Sequence, residues 1–247
     1  MASTSETGHA KNVALFEDLI SCCTGYGESN YNPSKAILQV AALNTKLTAA
    51  RAALQAVKTS KTAYDNATNG REIAMAPLKP LATKIINALM ATDATPQTIS
   101  DARAIVNKIR GTGKAKSPAS AQAGTATPGA KTKSTAQGSY DKQVDHLAQL
   151  IVVLSAEPSY IPNENQLKVT TLNALHEDLT ARNTAVGNGW IALSNARLNR
   201  DSVMYAEVTG MVDIAMAAKN YVKSVFGSTS PQYKQVSKLK FTRGKGD

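Results

Sequence analysis

The sequence predicts an all-α protein made of two tandem, internally duplicated up-and-down four-helix bundles joined by a flexible linker. Three observations carry this expectation. The first is a duplication: Tyr31, Pro33, Leu38, Val40, Leu43 and Asn44 recur at an offset of 129 as Tyr160, Pro162, Leu167, Val169, Leu172 and Asn173. Val57, Asn66, Arg71, Met75 and Ile85 recur at the same offset as Val186, Asn195, Arg200, Met204 and Ile214. The second is apolar spacing in steps of three and four along most of each copy, the signature of amphipathic helices. The third is composition: aromatic residues are 5% of the 247 residues while alanine, leucine and valine are plentiful, which suits closely packed helices. Each copy is long enough to bury a core of its own. The expected division is a first bundle over 9–110, a basic linker over 111–138, a second bundle over 139–241 and a basic tail over 242–247.

The first helix of each copy starts near Lys11 and Asp141. Val13, Phe16, Ile20 and Cys23 share one face, and Val144, Leu147, Ile151 and Leu154 repeat that register at an offset of 131. The second helix is expected from 33 to about 66, with Asn32 as N-cap and Pro33 at a position where its missing N–H does no harm. Its seam runs through Val40, Leu43, Leu47, Ala50, Leu54 and Val57. In the second copy the seam carries two polar residues, His176 and Asn183, where the first has Leu47 and Leu54. The bland reading of these two, a seam that surfaces where Trp190 repacks it, outweighs a polar pocket. The third helix is expected to begin at Arg71-Glu72 and Arg200-Asp201, where an acidic residue favours a helix N-terminus. Pro77 and Pro80 delay or kink it in the first copy. The fourth helix follows Pro96 and Pro231. Residues 111–138 contain no large apolar side chain and read as linker.

Chemistry is sparse. His9, His146 and His176 share no metal-ligand spacing with one another or with the cysteines, and no phosphate loop or dinucleotide fingerprint is present. No catalytic, cofactor-binding or metal-binding residue is assigned, no cofactor or small-molecule substrate is expected, and the chain is read as a non-enzyme. Cys22 and Cys23 are adjacent, too strained to bridge, and are matched by Val153 and Leu154, so they read as core residues. The start of the chain, Met1-Ala2-Ser3-Thr4, lacks the basic and apolar runs of a secretory signal, and no stretch reaches the length of a membrane span. A cytoplasmic location is expected.

The formal charge of +10 is uneven. Residues 111–138 hold four basic and no acidic side chains, as large an excess as the whole of 1–110 with twelve and eight. Lys108, Arg110, Lys114, Lys116, Lys131, Lys133, Lys238, Lys240, Arg243 and Lys245 are therefore the candidate polyanion-binding residues, because phosphate contact needs cations on an adaptable backbone.

Tyr31-Asn32-Pro33-Ser34, Asn69-Gly70-Arg71-Glu72 and Tyr221-Val222-Lys223-Ser224-Val225-Phe226-Gly227, followed by Ser230-Pro231-Gln232-Tyr233-Lys234, resemble a group of uncharacterised all-helical tandem-repeat proteins common in Bacteroidota. That resemblance implies a lineage and an all-helical fold, with no activity, cofactor or catalytic residue attached. The functional expectation is a non-catalytic binding or scaffolding protein that touches nucleic acid, a ribosome or another polyanion through its linker and tail. The alternative is a self-assembling structural protein with head-to-tail contacts between bundles.

Overall fold

In the computed structural model, which describes residues 4–111 and 139–243, the buried Tyr31 decides where the second helix begins. Its phenol donates to the Leu38 carbonyl at 2.9 Å. A helix running from Pro33 would commit that carbonyl to its own ladder. The chain instead makes a short 3-10 turn at Ala36–Leu38 and starts its long helix at Val40, so Asn32 is not the N-cap the local pattern implies. The matched positions behave alike: Tyr160 donates to the Leu167 carbonyl at 3.0 Å across the turn Asn165–Leu167.

The helices in chain order are α1 (Thr4–Gly25), α2 (Val40–Met75), α3 (Leu78–Met90), α4 (Pro96–Arg110), α5 (Tyr140–Ser155), α6 (Val169–Tyr205), α7 (Met211–Phe226) and α8 (Pro231–Ser237). Among the described residues there is no strand. Thr95 and Ser230 cap α4 and α8 by accepting from the backbone N–H three residues on, each with proline in the first turn. Pro77 precedes α3, which begins later than its acidic neighbours imply.

Arg71-Glu72 and Arg200-Asp201 do not start helices. They lie inside α2 and α6, which run unbroken past Gly70 and past Gly187 and Gly189. A lone glycine costs a helix only ~1 kcal/mol, too little to end one supported by packing. The acidic residues therefore do not act as caps. Asp201 pairs instead with Arg200 at 2.9 Å, and Arg71 lies 4.3 Å over the Tyr140 ring.

The unbroken long helices also overturn the expected domains. The compact units are not 9–110 and 139–241: the first comprises Met1–Tyr64 with Gly189–Asp247, and the second comprises Asp65–Asn188. In the first unit α1 packs on α7 and α8; in the second, α5 packs on α4 and α3 packs on the turn at Asn165–Leu167. Helix α1 thus joins helices from the end of the chain, whereas α5 joins α4, which precedes it. A turn near residue 66 would let α3 fold back on α1; because α2 continues to Met75, the two enter different units.

Each unit has its own core. Phe16, Leu19, Leu43, Met204, Met211 and Ile214 are buried in the first, and Leu78, Ile85, Leu89, Leu147, Leu150 and Leu172 in the second. Each such side chain contributes roughly 1.5–3 kcal/mol on burial. Cys23 belongs to the first core, where burial pushes its thiol up to about 11, and both cysteines are free. At Gly189 a Cβ would sit 3.2 Å from the Tyr64 Cα, so this glycine admits a close approach of α6 to α2 within the first unit.

Candidate functional site

The candidate site of the first unit begins with two polar residues on the buried face of α1. His9 and Asn12, three apart and therefore on one face, are 4% and 1% exposed. Polar groups so deep require partners. His9 Nδ1 is 2.6 Å from the Tyr205 hydroxyl, and Asn12 donates to that same hydroxyl at 3.3 Å. The Asn12 amide also grips one residue of the chain's last segment: it donates to the Thr242 carbonyl at 2.6 Å and accepts from the Thr242 N–H at 3.1 Å.

A second buried polar residue, Lys219 on α7, holds the segment three residues earlier by donating to the Leu239 carbonyl at 2.9 Å. Burial lowers its ammonium pKa, and the nearby Lys240 charge lowers it further. Residues 238–243 consequently form a strap with alternating sides. Leu239 and Phe241 are half-buried against the core of the unit, whereas Lys238 and Lys240 are exposed. Arg243 ends the strap in an ion pair with Asp213.

Asp213 has a second task. It accepts from the Val208 N–H at 3.0 Å and so holds the loop between α6 and α7. Val208 sits at φ 65°, a conformation that a β-branched residue adopts only under strain. The loop closes at Gly210, where a Cβ would lie 2.5 Å from the Ala206 carbonyl oxygen. Lys35, Asp213, Asn220 and Arg243 line an open cleft of about 520 Å³ beside Val208 and Met216. Val208→Gly is expected to stabilise the protein by about 1 kcal/mol, since the side chain is exposed and glycine accepts positive φ freely. An unchanged or lowered urea midpoint counts against the strain.

Of the ten candidate polyanion-binding residues, Lys114, Lys116, Lys131, Lys133 and Lys245 lie outside the described residues. So does the linker beyond Gly111 and the tail beyond Arg243. Lys108 and Arg110 are exposed in the last turn of α4, in the second unit, while Lys238, Lys240 and Arg243 belong to the first. The structure therefore divides them between the two compact units. It also ties Arg243 to a carboxylate. The strap itself was missed in the sequence, although the alternation Lys238-Leu239-Lys240-Phe241 was its signal.

The polar seam residues of α6 open a cleft in the second unit. His176, Thr180, Asn183 and Thr184 face Asp141 and Asp145 of α5 around about 480 Å³. His176 and Asn183 are half-buried and Trp190 is 59% exposed, so this stretch of the seam reaches the surface. Thr180 and Thr184 donate their hydroxyls to backbone carbonyls one turn back, at 2.8 and 3.1 Å. Asn183 Oδ1 is buried without a hydrogen-bond partner. The cleft is rich in acceptors and suits a cationic group better than an anion. Pro77 and Pro80 line a mainly apolar hollow of about 340 Å³ with Leu81, Leu172 and Leu175.

Among the described residues no group of three or more His, Cys, Asp or Glu side chains is placed to hold a metal ion. Among them also, no helix is long and apolar enough to cross a membrane. Comparison of the chain with known protein families, with curated proteins and with solved structures finds no match.

Proposed function

We propose that the protein is a non-catalytic binding protein that contacts the phosphate backbone of a nucleic acid through cations presented by the strap. The observation that carries this reading is the pairing of two exposed lysines, Lys238 and Lys240, with a backbone pinned from beneath by Lys219 and Asn12. A held backbone loses less conformational freedom when its side chains engage a ligand. Lys234 on α8 adds a further exposed cation just before the strap. Arg243 contributes less than its charge implies, because Asp213 already neutralises it.

Each phosphate contact releases counterions, so affinity falls with salt at a slope of about −0.9 per contact on duplex DNA. Replacing both Lys238 and Lys240 by glutamine is expected to flatten the log–log salt dependence by about 1.8. Fluorescence titration of a duplex over a salt series reads this directly. No binding of the wild-type chain at low salt, or a slope unmoved by the double variant, would sink the reading.

A further inference from the structure

The strap is held in the way a bound peptide is held. Asn12 reads one residue through both its N–H and its C=O, which requires an extended backbone and no particular side chain at Thr242. Lys219 takes a second carbonyl three residues earlier, and the intervening side chains alternate between the core of the unit and solvent. Main-chain bonds with pockets for alternate side chains are the general logic of extended-peptide recognition. The groove is also built to need such a ligand. Asn12 and Lys219 are buried polar side chains whose partners include main-chain atoms of the strap, and Asn12 is steered by the Tyr205 hydroxyl, itself bonded to His9. Vacating the groove would leave these groups short of partners that only another backbone replaces.

We propose that the groove formed by His9, Asn12, Tyr205 and Lys219 is a docking site for an extended peptide. Residues 238–243 fill it in cis, and the same residues of a second copy fill it in trans. The chain's own segment is the occupant whose fit the structure shows. It leaves α8 after Lys238, whose backbone is still helical, with one last bond from the Leu239 N–H to the Val236 carbonyl at 3.2 Å, and the other bonds described for it run to side chains of α1 and α7. Groove and segment occur on every molecule, so exchange reproduces the same bonds without any new surface, giving a closed dimer by reciprocal exchange or an open chain otherwise. The tether gives the cis segment an effective concentration on the order of millimolar, so the trans form gains ground at high protein concentration or when the cis fit is impaired. The contact concerns a second copy and does not depend on whether the exposed lysines bind a polyanion.

Full-length variants test this by complementation. Thr242→Pro removes the N–H that Asn12 accepts and leaves the groove intact; Asn12→Ala impairs the groove and leaves the segment intact. Each alone is expected to be monomeric by native mass spectrometry, and an equimolar mixture is expected to give a heterodimer that persists at high salt. A labelled synthetic peptide of residues 237–243 should bind Thr242→Pro at least tenfold more tightly than Asn12→Ala. Should Asn12→Ala lose helical circular dichroism, Lys219→Met takes its place as the groove variant. A mixture that stays monomeric overturns docking in trans, and a peptide that does not distinguish the variants overturns the groove itself.

Discussion

Glu72→Pro is expected to destabilise the protein by about 3 kcal/mol or more, read as a lowered urea midpoint. The position discriminates between two folds of the same sequence. If a helix began at Arg71-Glu72, proline would occupy its first turn, where no N–H is missed and its fixed φ is favourable. In the structure Glu72 lies in the last turn of α2, more than thirty residues from its start at Val40, and its own carbonyl accepts from Ala76 at 3.1 Å. Proline there deletes a ladder bond and its ring meets the carbonyl four residues back. The side chain is exposed, so lost packing contributes little and the measured effect reports the backbone. A variant as stable as wild type would mean that α2 ends before Glu72, and the pairing of α1 with α7 and α8 would lose its cause.

His146→Leu is expected to stabilise the protein by about 1–3 kcal/mol, the usual cost of a buried polar group left unsatisfied. His146 is 4% exposed, and neither ring nitrogen has a hydrogen-bond partner. Gln149, one turn on, gives its amide to Asp145 at 3.0 Å instead. The matched position of the first copy is Leu15, so the replacement is one that the repeat already tolerates. Burial lowers the imidazole pKa below its ordinary value near 6.5, and the charges of Lys108 and Lys142 lower it further against the opposing pull of Asp145 and of the neighbouring Gln149 amide. The unfolded chain therefore binds the proton more readily than the fold does. Stability contributed by neutral His146 is full above pH ~6.5 and is lost as pH falls from there towards the folded-state value. The variant lacks this loss, so its advantage should be larger at about pH 5.5 than at about pH 7.5. Equal urea midpoints for variant and wild type at both values would show that the imidazole is satisfied in solution.

Much of the local structure was legible because it depends on near neighbours. The apolar faces of α1 and α5, the starts of α4 and α8 at Pro96 and Pro231, and the delay of α3 behind Pro77 follow from spacing and turn chemistry within a few residues. The errors arose where a distant or competing bond decided the outcome. Asn32-Pro33 is a good helix start in isolation, yet the Tyr31 phenol claims the Leu38 carbonyl and the helix begins later. Gly70 followed by Arg71-Glu72 resembles a boundary, yet packing carries α2 through it. At the site, the basic residues were visible as charge, but whether a cation is free depends on a partner far along the chain, as Asp213 is for Arg243.

The amino-acid sequence by itself determined that the chain is helical and which faces are apolar, and residues that recur at an offset of 129, such as Tyr31 and Tyr160, prove to make the same local bonds. Periodicity and capping act over one or two turns, so they are written in consecutive residues. Only the tertiary structure decided which copy supplies each helix of a unit, and that Asn12 and Lys219 hold a segment more than two hundred and about twenty residues away, respectively. Both copies carry nearly the same apolar faces, so hydrophobic pattern cannot choose between partners. The continuity of α2 and α6, sustained by packing along their length, makes that choice.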